Sequence, residues 1–405
     1  MSEMPRRPVP RARWLALLGA AASVLIAVSC SHDAEPTAPS GQLTDEGRRI
    51  FRFETFGDET FWTDTLRLHE VVQHLPPATA IAVGLKVDAD TLPLEVLQAI
   101  QAGQVDLSDP ATTVTLLKLG AVIGLRATVD ADNQITQLGT TCALCHSTVD
   151  DRIAKGIGSR LDAWPNLELN PGAIIALSPA LTPEQKAIYN SWGPGRFDPR
   201  INFDGLNGPV LIPPAYGLRG VHSTTFTGDG QDIAYWNRYV GVTQMHGHGS
   251  FVEPRLGINV QNPPDLISDK LAALQAYQLS INAPKPPAGS FDAAAASRGR
   301  ALFTGAGKCS TCHTGTLLTD ANTRLHAPSE VVSEPEPNGA PSAAARSATK
   351  LYRTTPLRAL QLQPPYFHNG IAPTLEAVVE LYDTRQGLEL TAQQKADLVQ
   401  YLRSL

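Results

Sequence analysis

Apolar positions along this chain repeat with helical spacing in two separated stretches built on one plan. Near the end, Leu390 to Leu405 puts Leu398, Tyr401, Leu402 and Leu405 on one face, with Thr391 placed as an N-cap. The Ala-rich stretch from Phe291 to Phe303 is helix-periodic as well and leads through Gly305-Ala306-Gly307. Earlier in the chain the same bookends recur. Gly47-Arg48-Arg49-Ile50-Phe51 echoes Gly299-Arg300-Ala301-Leu302-Phe303, and Leu266 to Ile281 echoes the terminal helix. Between the copies, residues 282–290 (Asn282 to Ser290) are Pro-rich and cannot continue a helix, so a linker is expected there.

The first copy is interrupted by an insertion of about residues 52–140. It opens on FGDETFWTDTLRLHEVV, expected to be helical. Alternating apolar segments around Ala80–Lys86 and Val122–Thr128 are expected to pair as short strands. A long insertion of this kind is more often functional or interface-forming than a spacer.

Composition narrows the class. At 405 residues, two or three domains are expected, and 42% hydrophobic residues with 32 Gly and 32 Pro describe a globular, loop-rich chain. The formal charge of −6 offers no basic footprint for nucleic acid. The N-terminus reads as an address: Arg6, Arg7, Arg11 and Arg13 precede an apolar run, Trp14 to Val28, that is short for a membrane span. Residues 1–30 are therefore expected to be a signal peptide. Ala27-Val28-Ser29-Cys30 resembles a bacterial lipoprotein cleavage box, which makes Cys30 a lipid-bearing residue and the protein periplasmic, touching the membrane only through that anchor. The alternative is a plain cleaved signal with an incidental cysteine. Residues 31–42 are expected to be a flexible tether.

Four cysteines remain: Cys142, Cys145, Cys309 and Cys312, in CALCH and CSTCH. Two disulfides would be usual for an exported chain, and a shared zinc site would bring its pairs within about 15–20 residues of each other. The histidine directly after each pair points instead to covalent haem c: two thiols take the vinyl groups and the adjacent imidazole takes the iron. Two haems c are expected, with His146 and His313 as proximal ligands.

The segment RTTPLRALQLQPPYFHNGIAPTLEAVVELY, Arg353 to Tyr382, together with CSTCHTGTLLTD and Leu325-His326, resembles the C-terminal haem domain of the bacterial di-haem cytochrome c peroxidase family, which includes MauG. The resemblance covers residues 290–405 well, the first domain in outline only, and the insertion not at all. It implies a mainly α fold with two cytochrome c-type domains in tandem, residues 43–281 and 291–405, the first opened by the insertion. It also implies an axial ligand of the second haem at Tyr382, with His368 and His326 as competitors and plain helix packing as the bland reading of the tyrosine. Pro213-Pro214-Ala215-Tyr216-Gly217-Leu218-Arg219 and the following FTGDG look like a diverged copy of the same turn, so the helix after Gly230 is expected to end over the first haem. Met245 sits there, the one methionine beyond the signal peptide, either as ligand or as core; His246 and His248 are alternatives. Gln244, His248 and Glu253 are acid–base candidates by the same resemblance. At the spacing of the family's switching histidine stands Asp162. Trp164, Trp192 and Trp236 are candidates for the residue between the haems, with Trp236 favoured. Arg353 and Arg358 are candidate propionate partners, and Gln363 to Pro365 permits a Ca²⁺ site. The implied activity is periplasmic electron transfer, as an oxidoreductase meeting peroxide or another small substrate, with a small cytochrome, cupredoxin or quinol-linked carrier as partner. The alternatives are an electron carrier with both irons six-coordinate and a non-catalytic haem-binding lipoprotein.

Overall fold

A computed structural model describes residues 41–201 and 204–405. The signal peptide, Cys30 and the tether up to residue 40 lie outside the described residues. Gly41 and Gln42, expected in the tether, instead open the first helix, Gly41–Phe53, whose buried half carries Gly47, Ile50 and Phe51. Once that half is fixed against the core, extending the helix backwards costs little.

Two helix crossings set the frame. Helix Gly41–Phe53 packs on Leu271–Ser280, and helix Ala293–Thr304 packs on Ala392–Arg403. Each crossing is notched by a glycine. A Cβ on Gly47 would lie 1.9 Å from the Ala273 carbonyl oxygen, and one on Gly299 would lie 2.0 Å from that of Asp397. Next to each notch an aromatic pair meets edge to face: Phe51 with Tyr277 at 5.6 Å, and Phe303 with Tyr401 at 5.1 Å. The last helix is started by a capping box between Thr391 and Gln394, as its sequence predicted. Residues 282–288 have no regular structure.

Three main apolar cores follow the chain. The first-copy crossing encloses Ile50, Phe51, Val242, Met245, Phe251, Leu274 and Tyr277. The second encloses Phe303, Leu375, Val379, Leu398, Val399 and Leu402. The insertion builds its own core around Trp62, Leu68, Leu116, Leu117 and Leu138, and draws in Ile157, Leu169 and Ile212 from beyond residue 140. It is a folded layer whose core is shared with residues beyond the insertion.

Within the insertion the expected local structure is partly replaced. Phe56–Val72 is helical, but split into a wide π turn, Thr60–Thr65, and Leu68–Val72, with Arg67 left-handed (φ 56°) between them. Ala80–Lys86 is not a strand: Pro77 sits in the first turn of a helix, Pro77–Ala82. The chain becomes extended only at Val87–Asp88, which pairs in parallel with Ile157–Gly158. Strand Leu125–Val129 pairs with its own neighbour, Ile135–Thr140, because the polar stretch between them closes a local hairpin. The described strands form five two-stranded sheets, so the chain is helix-rich with few, short strands. Among the described residues no helix is long and apolar enough to cross a membrane.

Candidate haem-binding sites

The first motif is held from both sides. Strand Ile135–Thr140 delivers the chain to Cys142, Ala143–His146 makes one helical turn, and Ser147–Val149 leaves it paired with Arg160–Asp162. Cys142, Cys145 and His146 line a cavity of about 340 Å³, within the range of small-molecule and cofactor sites, about 300–1,000 Å³. None of Cys142, Cys145, Cys309 and Cys312 is in a disulfide. Burial pushes the Cys142 and Cys145 thiols up to about 12 and His146 down to about 4, the latter opposed by the Pro213 carbonyl. A neutral imidazole beside two cysteines in an apolar hollow suits iron ligation next to the attachment points.

The wall opposite is built by a helix that widens as it ends. Ile233–Tyr239 runs into a π turn, Val240–Gln244, and His246 follows in the left-handed region at φ 64°. This brings Gln244, Met245 and His246 to the cavity together with Trp236. Met245 is 6% exposed and also packs in the first core, and its carbonyl accepts a bond from Trp62 Nε1 at 3.1 Å. The His246 ring stacks on Phe61 at 3.5 Å, and burial pushes it down to about 4. Gln244 Nε2 donates to the Pro199 carbonyl at 3.3 Å.

Two of the expected acid–base residues are elsewhere. Strand Gly249–Glu253, paired with Ile258–Asn262, carries the chain away from the cavity just after His246. His248 lies 3.2 Å from the Pro263 carbonyl, and neither it nor Glu253 lines the cavity. The Arg255 guanidinium holds Glu253 down to about 2, with Tyr235 donating to the same carboxylate at 3.1 Å. Asp162, at the switching-histidine spacing, is tied by Arg52 at 2.6 Å, Tyr277 at 2.5 Å and Ser147 at 2.9 Å.

Sequence reasoning missed residues that reach this cavity from far along the chain. Phe61 and Trp62 come from the insertion, and Arg200 and Arg346 from two polar segments. Behind Trp62 lies Asp58, which accepts from Trp62 Nε1 at 3.1 Å and from Thr140 Oγ1 at 2.6 Å. The only sequence signal for it was the aromatic-flanked FGDETFW stretch.

At the second motif, Cys309–Thr311 forms a 3-10 turn entered through left-handed Lys308 (φ 53°). His313 Nδ1 lies 3.1 Å from the Leu318 carbonyl, which fixes that nitrogen as donor and leaves the lone pair on Nε2. Burial lowers the His313 pKa, opposed by the Leu318 carbonyl. Tyr382 comes from helix Leu375–Gln386, and its phenol is raised by burial and by the nearby Cys309 and Cys312. The structure therefore brings Tyr382 to this motif. Its competitors are engaged: His326 Nε2 is 3.0 Å from Asp320, and His368 Nε2 is 2.5 Å from Glu336.

Arg353 and Arg358 provide a test of fit. Arg353 Nε and Arg358 Nη2 are buried with no hydrogen-bond partner. Burial, with Arg358 close by, drives Arg353 down to about 9. Two guanidiniums so placed call for an anion, and haem propionates supply one. Between the halves, Trp164 packs edge-on to Tyr216 at 5.8 Å in a cluster that includes Ala359 and Leu362. Trp236, favoured from sequence for this position, instead lines the first cavity and packs on Tyr239 at 4.7 Å. Trp192 lines the cavity too, its Nε1 bonded to Asn207 at 3.0 Å. The Gln363 side chain donates to the Tyr216 hydroxyl, so the expected Ca²⁺ stretch lies at this same junction.

Residues 296–405 match the cytochrome c family, so this part of the chain is a cytochrome c domain. The match contains the second motif, CSTCH, and supports covalently bound haem c and electron transfer there. No curated protein matches the chain. Among solved structures it is similar to hydrazine synthase of Kuenenia stuttgartiensis, at 20% identity over 49% of this chain and 73% of the other, with a TM-score of 0.34. It is also similar to a MauG-like protein associated with microbial copper homeostasis, at 22% identity over 50% of this chain and 75% of the other, with a TM-score of 0.33. Scores this low establish no shared fold.

Proposed function

We propose that the protein is a periplasmic c-type cytochrome with two haems that works in electron transfer, as an oxidoreductase of the di-haem cytochrome c peroxidase and MauG type. The observation that carries this reading is the repeat of one arrangement. Each Cys-x-x-Cys-His motif stands beside a glycine-notched helix crossing with an edge-to-face aromatic pair. Bound haem supplies one-electron chemistry; the protein sets potential, access and proton delivery. His146 and His313 are the proximal ligands, and Cys142, Cys145, Cys309 and Cys312 the attachment points. Arg353 and Arg358 hold propionates. Tyr382 would be a further protein ligand to the iron of the second site. Burial opposes loss of its proton, so it becomes a phenolate only against a neighbouring cation.

At the first site, Gln244 and His246 line the cavity and would serve a bound oxidant and its protons. Trp164 bridges the halves, electrons come from a small cytochrome, cupredoxin or quinol-linked carrier, Ca²⁺ stiffens the junction, and Cys30 anchors the chain. One observation favours a second reading. Met245 is a buried thioether in the cavity wall, and ligation by it closes the first iron, leaving an electron carrier.

Carbon monoxide and cyanide binding to the purified protein separates the two. A high-spin haem that takes both ligands and turns over hydrogen peroxide is expected; two low-spin haems inert to both would leave the carrier. Tyr382→Phe should change the absorption and EPR spectrum of the second haem, whereas Met245→Ala should leave the first haem's spectrum unchanged unless the carrier reading holds. An unchanged spectrum in Tyr382→Phe removes that ligand.

A further inference from the structure

A second set of donors, sharing no residue with the cavity lining or with either Cys-x-x-Cys-His motif, lies where residues 331–342 meet the turn at 366–370. Glu334 and Glu336 flank Pro335 on the first segment, and His368 comes from the turn. One ligand atom from each of the three lies within 4.8 Å of the others. Glu336 Oε1 is 2.5 Å from His368 Nε2, and its Oε2 accepts from Asn369 Nδ2 at 2.8 Å. Glu334 Oε1 accepts from Ser342 Oγ at 2.7 Å and from the Tyr352 hydroxyl. That hydroxyl is also 3.3 Å from His368 Nε2. The His368 and Glu336 side chains are only 4% and 6% exposed.

The charges do not balance. Among the described residues, the one ion-pair partner of these carboxylates is His368, which brings a single positive charge at most. Two carboxylates gathered around one imidazole, with no lysine or arginine paired to them, keep a net negative charge even with His368 protonated. Glu334 is partly exposed while the Glu336 and His368 side chains are buried, so part of that charge is held out of water, which is costly unless a cation offsets it.

We propose that Glu334, Glu336 and His368 bind one divalent first-row transition cation of the Zn²⁺ class. Two carboxylate oxygens and one imidazole nitrogen suit such an ion, whereas Ca²⁺ takes six to eight oxygens and no nitrogen. The site is distinct from the Ca²⁺ stretch at Gln363 to Pro365. Tyr352, bonded to Glu334, orients that carboxylate from behind. The consequence is positional. The turn carrying His368 leads to Thr374, the N-cap of the helix that bears Tyr382. A cation joining Glu334 and Glu336 to this turn fixes how that helix sits over the second motif.

The test uses the full-length, haem-loaded protein, stripped with a chelator and titrated with Zn²⁺ alone by calorimetry, with iron and zinc counted by mass spectrometry. One Zn²⁺ per chain is expected beyond the haem iron, with no competition from Ca²⁺. Glu334→Gln and Glu336→Gln should each weaken binding by at least about tenfold, with haem absorption showing that the variants remain folded. Absence of Zn²⁺ uptake by the wild-type protein overturns the proposal whatever the variants do. So does uptake that the double variant retains in full, or displacement of Zn²⁺ by Ca²⁺ at equal concentration.

Discussion

Asp58 is the residue whose behaviour is most sharply constrained by its surroundings. It is fully buried, takes hydrogen bonds from Trp62 and Thr140, and has Glu59 as a like-charged neighbour. Burial raises it to about 8, against the pull of the Thr140 hydrogen bonds. In the unfolded chain the same carboxyl titrates near about 3.9. Between those values the folded state holds more protons, so stability falls as pH rises from about 4 to about 8 and levels off above. Compared with Asp58→Asn, the wild-type protein should lose stability across that window, by up to about 1.4 kcal/mol per pH unit. Urea unfolding of both forms at several pH values checks it, and parallel curves would show that Asp58 does not titrate there. The aspartate was not legible as special in the sequence, because its partner Thr140 lies eighty-two positions away. Its neighbours in sequence are ordinary, and only the fold removes its water.

At the scale of elements, the two crossings depend on what is missing from a glycine. Gly299 lets the backbone of Asp397 approach to where a Cβ would stand 2.0 Å from its oxygen and 2.8 Å from Tyr401 Cβ. A methyl group there must push two helices apart. Gly299→Ala should therefore destabilise the protein by about 1–3 kcal/mol or more. Gly41→Ala, where a Cβ would meet nothing within 4 Å, should be near neutral. Denaturant midpoints of the haem-loaded proteins compare them directly. Equal midpoints would mean that the crossing tolerates a wider separation. The repeat Gly-Arg-x-x-Phe announced both crossings in the sequence, since glycine, aromatic and helical period fall in one short window. The strand expected at Ala80–Lys86 is displaced because Pro77 starts a helix; the chain becomes extended only at Val87, which pairs with Ile157 and meets Val122 in an isolated antiparallel bridge.

Over the whole molecule, the two motifs sit in separate cores joined through Trp164, Tyr216 and Ala359. Loss of one attachment site should therefore spare the other. Cys142→Ala with Cys145→Ala, and Cys309→Ala with Cys312→Ala, should each reduce covalent haem from two per chain to one, counted by pyridine haemochrome absorbance and intact mass. A single haem in the wild-type protein would remove the di-haem reading. The same construction explains why the first site is only half legible from sequence. Its cavity takes walls from the insertion, from residues around Arg200 and from Arg346 in the C-terminal half.

The sequence by itself determined where haem attachment is expected, since cysteine and histidine act as a contiguous five-residue unit whose spacing is local. It also determined the helices that flank the motifs, because helical periodicity and capping are local too. What the tertiary structure decided was which side chains meet across the fold. It gathered Met245, His246 and Gln244 at the first cavity and turned His248 and Glu253 away along a strand. It engaged His326 and His368 with carboxylates while Tyr382 reached the second motif, and it set Trp164 rather than Trp236 between the halves. Those outcomes depend on burial and long-range packing. The two Cys-x-x-Cys-His motifs look alike in sequence, but their surroundings make them different sites.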